Sequence, residues 1–350
     1  MKRKPILDVL NKIKAGLDDT SMEQTTHFIF SSGHVLTYND RISMAVPFDA
    51  DFELTVTAED LRKVIADIPE DEIDLEQDEE NEQLLITSES TAAGIAYLPI
   101  GEEIGALIKS LGLPKLKKGE WTDLPKRFVE GLSLCSFSAS KDTGDEAFSA
   151  IHVHPKCILS SDMIRISRFT FEEEGLEEIE FALSLESVKE MVKFQLEGVI
   201  ASGPWAQFRD SEGVIFSTRT VDSTLPEQTE TLLKVEGDQV VLPDNLGEAL
   251  KAVLVFAPGE DEEEKMARIT FKKGEVMCES ERAGGWIERT VPVKGMKKPG
   301  VGAILINPIF FRDILRMATT MICNETSAKF ITDRFEHVIA LPEPDEPEGR

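Results

Sequence analysis

"VLTYNDRISMAV", residues 35–46, is an apolar stretch interrupted by Asn39, Asp40 and Arg41. "ILSSDMIRISRF", residues 158–169, resembles it: Leu, then Thr or Ser, then Asp, then Arg-Ile-Ser, with one residue inserted in the second. One chain that writes the same strand twice is internally duplicated, and self-similarity of this kind sets the fold before any single element does.

Outward from these two stretches, six segments follow one grammar. Each has a helix of about three turns, then two to four short strands with period-2 alternation. The expected helix windows are 6–17, 57–67, 122–132, 184–194, 243–253 and 307–318. In the second window Thr57 and Asp60 form a capping-box-like start, and Leu61, Val64, Ile65 and Ile68 make one apolar face. Ser184 can cap the fourth helix over Leu185, Val188, Met191 and Val192, and Pro243 and Pro308 sit near helix starts, where a missing N–H costs little. The runs "GLPKLKKGEW" (112–121) and "DSTLPEQTE" (222–230) read as linkers. They pair the segments into three domains, 1–113, 114–226 and 227–350, the last with a short acidic tail. The expected class is α+β, with each domain a doubled helix-plus-strands unit that buries one sheet face under helices.

Bulk properties agree with several folded domains. The 350 residues exceed one ordinary core, and 41% are apolar and 29% charged. The basic start "MKRKPILDVLNKIKAG" lacks an apolar run, so no signal peptide is expected, and no stretch is long enough to span a membrane. Cys135, Cys157, Cys278 and Cys323 lie far apart with no CxxC, which points to buried thiols in a reducing cytoplasm.

The net charge of −27, from 38 basic and 65 acidic residues, argues against an ordinary nucleic-acid binder. The distribution says more than the sum. The helix windows hold Lys12, Lys14, Arg62, Lys63, Lys126, Arg127, Lys189, Lys193, Lys251, Arg312 and Arg316, matched by as many acidic residues. The whole acidic excess therefore lies outside the helices. Lys189 with Lys193, and Arg312 with Arg316, are spaced to stack on one helix face.

Enzyme signatures are missing: there is no P-loop, GxSxG, HExxH or GxGxxG helix start. "HVH" at 152–154 places two imidazoles on one strand face, and a hydrolase built on His152, His154 and Asp162 is the weak enzymatic alternative. The acidic runs "EQDEENEQ" (76–83) and "GEDEEEK" (259–265) read as hairpin loops without the EF-hand pattern. No catalysis, metal or cofactor is expected.

Over essentially its whole length the sequence resembles the bacterial DNA polymerase III beta subunit, the sliding clamp. The last third carries most of it: "VVLPDNLGEALKAVL", "ITFKKGEVMCES", "ILINPIFFRDILRMA" and "FEHVIALP" follow the family's third domain in order. "LSSDMIRIS" looks like the family's Thr-Asp-x-x-Arg-Leu strand of domain two. The acidity and the ending "LPEPDEPEGR" point to an outlying or phage-encoded member. The resemblance implies a head-to-tail homodimeric ring that encircles duplex DNA without reading sequence, and that tethers the replicative polymerase after placement by a clamp loader. It implies DNA contacts from Lys12, Arg62, Lys63, Lys126, Arg127, Lys189, Lys193, Lys251, Arg312 and Arg316. It implies a partner-peptide pocket made by Met163, Ile164, Arg165, Ile166, Pro226, Leu232, Ile339, Leu341 and Pro342. Met163 departs from a small family residue and Ile164 from a polar one. The alternative on the same fold is an acidic decoy that binds clamp partners without encircling DNA.

Overall fold

The computed structural model describes residues 1–18, 25–110, 121–172, 176, 179–293 and 300–342. Most of the first linker, 112–121, and the acidic tail beyond Pro342 lie outside the described residues. Contacts gather the chain into two compact units. One holds Met1–Ser133, His152–Lys156 and Glu172–Ser223, the other Leu134–Ile151, Cys157–Phe171 and Thr224–Arg350. The middle third, 114–226, is thus shared between them.

The two stretches that open the sequence are not single strands but β-hairpins. In the first unit His34–Tyr38 turns into Ile42–Pro47; in the second Cys157–Ser161 turns into Arg165–Thr170. Each turn is closed the same way, by Asn39 N–H to Ile42 O (3.1 Å) and by Asp162 N–H to Arg165 O (3.2 Å). The first turn residue's side chain then accepts from the backbone ahead. Asn39 Oδ1 takes the N–H of Ile42 at 2.8 Å, and Asp162 Oδ1 takes that of Arg165 at 2.6 Å. The next residue is left-handed in both, Asp40 at φ 68° and Met163 at φ 71°.

This geometry corrects the sequence alignment. Leu36 pairs with Ala45 and Leu159 with Arg168, so residues 35–46 and 158–169 correspond one to one with no insertion. Asn39 matches Asp162 and Asp40 matches Met163. The shared Arg-Ile-Ser is one step out of register, a coincidence of composition. A one-residue shift would have turned every side chain to the opposite face of the sheet.

Each hairpin's second strand continues its sheet into a later part of the chain. Ile42–Pro47 pairs antiparallel with Ile215–Val221, through Ile42↔Thr218 and Ala45↔Ile215. Arg165–Thr170 pairs antiparallel with Phe335–Ala340, through Arg165↔Ile339 and Arg168↔Glu336. The flanking bonds match as well, Arg219 N–H to Arg41 O (2.9 Å) and Ala340 N–H to Ile164 O (2.8 Å). The hairpin is written twice because the chain makes the same junction twice.

In the first unit one antiparallel ladder runs through Asp74–Asp78, Gln83–Thr87, Ala92–Leu98, Leu54–Thr57, His27–Ser31, His34–Tyr38, Ile42–Pro47, Ile215–Val221, Trp205–Asp210 and Leu196–Ser202. Helices Arg3–Lys12 and Ala58–Asp67 bury Ile6, Leu10, Leu61 and Ile65. A helix at Glu102–Ser110 was not expected from the sequence. Its Ile104 joins Ile29, which alternates with Phe28 and Phe30, and Leu36, Ala45 and Ile215, which pair across from Ile29 in turn, so the cluster lies on the other sheet face. The central strands are therefore covered on both faces, which is why "HFIF" reads as a continuous apolar run rather than an alternating one.

The second unit holds two sheets. One runs Cys157–Ser161, Arg165–Thr170, Phe335–Ala340, Ser327–Ile331, Thr320–Cys323 and Asp238–Val241. The other runs Gly285–Pro292, Glu275–Arg282, Ala267–Lys272 and Ala303–Ile306. Helices Leu246–Val253 and Pro308–Ile314 bury Leu250, Val253, Phe311 and Ile314.

Helix ends mark where local signals succeed or fail. Ser184 Oγ accepts the Ser187 N–H at 3.1 Å, as expected. Asn307 caps the last helix by accepting from Ile309 and Phe310, with Pro308 in its first turn. Thr57 makes no side-chain cap, because it is still the last residue of the strand Leu54–Thr57. The third window starts as a short strand, Thr122–Asp123, and the helix begins only at Phe128. The run 259–265 carries a 3-10 turn, Glu262–Glu264, and leads into a strand rather than closing a hairpin.

Candidate functional site

Half of the ten basic residues singled out for nucleic acid are neutralised by near neighbours. Lys12, in the last turn of its helix, reaches Glu212 at 2.6 Å and the buried Asp210 at 3.4 Å, and lies 5.8 Å from the Phe194 ring centroid. Burial alone would lower its pKa, but Glu212 and Asp210 outweigh it and push the ammonium above its usual value. Arg62 donates to Asn11 Oδ1 at 3.0 Å, and Lys63 pairs with Glu59 one turn back. Arg127, left-handed at φ 64°, grips both oxygens of Glu130, and Lys193 pairs with Glu190. Arg312 is half-buried, 3.5 Å from Asp313. Lys189, Lys251 and Arg316 are exposed and make no ion pair among the described residues. Lys126 is exposed beside Arg127.

Two expected cation stacks do not form on helices. The fourth helix ends at Met191, before Lys193, and the last ends at Ile314, before Arg316. In each, the second cation sits in the turn that follows the helix.

The residues assigned to a partner pocket share one region of the second unit but differ sharply in exposure. Met163 (71% exposed), Ile164 (44%) and Leu232 (53%) are open to solvent. Pro226 and Pro342 are exposed too. Ile166, Ile339 and Leu341 are buried, with Leu341 at 7%. Ile166 belongs to a core cluster with Leu159, Leu233 and Val338, against which Leu225 and Val235 pack. The 3-10 segment Glu227–Leu233 is therefore anchored through Leu233 while Leu232 points out. Met163 and Ile164 occupy the left-handed turn rather than a strand. Arg165 is held below them by two bonds to Asp162 Oδ2 (2.8 and 2.6 Å), and its guanidinium lies 3.7 Å from the Phe310 ring centroid.

Under this surface the junction of Arg165–Thr170 with Phe335–Ala340 carries a buried polar cluster. Ser167 Oγ is 2.9 Å from His337 Nδ1 and 2.8 Å from Ser138 Oγ. Burial, helped by the charge of Arg165, drops the His337 pKa to about 3, so the ring is neutral near pH 7. Beside it Glu336 meets Arg168 and Lys329. Burial alone would raise Glu336, but hydrogen bonds from Lys329 and Arg168 win, and its pKa lies below the usual carboxylate range.

The residues of the hydrolase alternative are engaged elsewhere. His152 is buried, His154 lies 3.5 Å from Glu180, and Asp162 is bound by Arg165. No group of three potential metal ligands converges among the described residues. No helix among them is long and apolar enough to cross a membrane.

What the sequence reading did not locate are two strand edges left unpaired among the described residues. Ala92–Leu98 pairs with Leu54–Thr57 only through Leu98 and Tyr97, leaving residues 92–96 open on that side. In Ile215–Val221 the matching stretch is filled by Ile42–Pro47. Gly285–Pro292, second strand of its own hairpin, pairs among the described residues only with Glu275–Arg282. Its Trp286 is 68% exposed, beside a cleft of about 390 Å³ lined by Pro258, Met266 and Leu305.

No family model and no curated relative matches the chain. Solved structures do. The chain is similar to the DNA polymerase III subunit beta of Pseudomonas aeruginosa, with TM-score 0.78 and 15% identity over 98% of this chain and 99% of that one. It is similar to the beta subunit from DNA polymerase of Streptococcus pyogenes, at TM-score 0.81, 15% identity, 98% and 99% coverage. The DNA polymerase III beta subunit of Thermotoga maritima follows at TM-score 0.77, 17% identity and 98% coverage of both chains. End to end, this chain has the fold of those beta subunits.

Proposed function

We propose that this chain is a DNA sliding clamp, a processivity factor that encircles duplex DNA as a head-to-tail homodimer and tethers the replicative polymerase. The carrying observation is the end-to-end likeness of fold to beta subunits, and the open strand edges give it a physical mechanism. The protein is not a catalyst in this reading. It acts in the cytoplasm, where a clamp loader places it on DNA. The three-domain division at 113 and 226 belongs to the same proposal.

The internal junctions supply the register for ring closure. Thr55↔Leu98 and Val56↔Tyr97 match Ala182↔Val221 and Leu183↔Thr220, so Ala92–Ile95 stand where Ile215–Thr218 stand. Glu281↔Trp286 matches Ser161↔Ile166, so Trp286 stands where Ile166 stands. Repeating the junction between two copies sets Trp286 opposite Gly94, Ile287 opposite Ala93 and Glu288 opposite Ala92. A glycine facing an exposed indole gives the ring room to lie over the partner strand. Unpaired edges invite this kind of addition, and head-to-tail contacts close into rings.

Two measurements test the assembly. Scattering at micromolar concentration should give a dimer, and Trp286→Glu should give a folded monomer, because the side chain is already exposed in one chain. Under oxidation, Ala92→Cys/Glu288→Cys or Ala93→Cys/Ile287→Cys should form an intermolecular disulfide, since one of two adjacent antiparallel pairs brings Cβ atoms within bonding reach. A wild-type monomer would remove the ring; a dimer that cross-links at neither pair would remove this register.

DNA is held by enclosure in this reading, so few phosphate contacts are needed, and strong ones would brake sliding. The partner surface is the exposed group Met163, Ile164, Leu232, Pro226 and Pro342, resting on buried Ile166, Ile339 and Leu341. Primer extension by a cognate polymerase and loader tests the function itself: product length per binding event should rise when the protein is added.

A further inference from the structure

We propose that the Met163–Ile164–Leu232 surface selects a short apolar peptide flanked by basic residues; this rests on the reading of that surface as a partner site. The apolar part is plain from the geometry. Met163, Ile164 and Leu232 are the exposed apolar residues of a region whose neighbours, Ile166, Leu233 and Leu341, are buried. Such a surface takes apolar anchors and leaves specificity to its rim.

The rim is acidic. Glu227 and Glu230 lie on the 3-10 segment that carries Leu232, and both are exposed. Glu236 and Glu325 are exposed at the other end. The Glu236 carbonyl accepts from Asn324 at 2.9 Å, and the Leu341 N–H binds Thr326 O at 2.8 Å, which fixes Glu325 beside Leu341. None of these four carboxylates makes an ion pair among the described residues. The cations nearby are already spent: Arg165 on Asp162, and Arg168 and Lys329 on Glu336. On residues 225–236 and 324–326 the one basic residue is Lys234. An acidic peptide would meet like charge on most sides, whereas Lys or Arg on either flank would meet opposite charge at the rim.

The probes are three fluorescent peptides with one apolar centre, Leu-Ala-Leu-Phe, flanked by Lys and Arg, by Ser and Gly, or by Asp and Glu. Anisotropy titrations on the full chain are run at low and high salt. Several weak exposed pairs should together give a preference of about tenfold for basic over acidic flanks. High salt should narrow it. Glu227→Lys with Glu230→Lys should shrink or invert the order. Met163→Asn with Leu232→Ser should weaken all three peptides while the protein stays folded, because Asn tolerates the left-handed turn. Equal affinities, or tighter binding of the acidic peptide, would overturn the charge preference and leave the partner site standing. Binding of none, or binding that survives the Met163 and Leu232 changes, would overturn the partner site and this inference with it.

Discussion

His337 shows how a single residue ties stability to pH. Its ring is buried beside Ser167 and Ser138 and stays neutral down to about pH 3. The unfolded chain takes up a proton there near pH 6.5, so between that value and about 3 it binds more protons than the folded chain. Stability must fall as pH is lowered through this window, by on the order of a few kcal/mol. Glu336 adds to the loss below its unfolded pKa, since its folded pKa is depressed. Urea titrations at pH 7 and pH 4.5 should show a smaller drop for His337→Gln than for the natural chain; an equal drop would place the acid sensitivity elsewhere. The cysteines offer a second residue-level check. Burial pushes Cys278 and Cys323 up to about 12 and Cys135 well above its usual value, while Cys157 is only half-buried. Alkylation of the native protein near pH 8 should therefore mark Cys157 first. Leu341→Lys belongs here too. With 7% of the side chain exposed, the substitution buries a charge in the core and should cost several kcal/mol of stability, seen as a lowered urea midpoint.

At the scale of elements, half of the basic residues assigned to DNA are spent on nearby carboxylates. Lys12, Lys63, Arg127, Lys193 and Arg312 are paired, and Lys189, Lys251 and Arg316 carry no ion pair among the described residues. Binding to linear duplex DNA should thus be weak, with a log–log salt slope of magnitude about three or four rather than the nine expected if all ten assigned residues met phosphates. A slope near nine would mean that the ion pairs open on DNA. The helices were legible because Leu61, Ile65, Val188, Met191, Leu250 and Val253 keep helical spacing, and Ser184 advertised its cap. Their ends were not: Lys193 and Arg316 continue the helical pattern in sequence but fall in turns. The helix at Glu102–Ser110 escaped notice because it follows the strands of its segment, outside the repeated grammar, and its burial depends on residues as distant as Ile215. The repeat was visible, yet neither its hairpin form nor its register was. A shared Arg-Ile-Ser outweighed the turn chemistry of Asn39 and Asp162, and only strand pairing separates the two alignments.

For the whole molecule, the fold was readable from the order of many weak motifs, because a duplicated architecture constrains all of them together. The candidate sites were less so. Burial divides the pocket residues into an exposed group and a core group, and sequence alone gives Ile339 and Leu341 the same apolar character as Met163 and Ile164. The free edges at Ala92–Leu98 and Gly285–Pro292 are unremarkable as text; they stand out only when the equivalent strands are found paired. The central claim is that two copies close around DNA, and topology tests it most directly. The protein is loaded by a cognate clamp loader onto a nicked circular plasmid, the complex is isolated by gel filtration in high salt, and the plasmid is then cut once. Protein that stays with the circle and leaves on linearisation is the result this account requires. Protein that never stays with the circle, or that remains on the linear product, would contradict it.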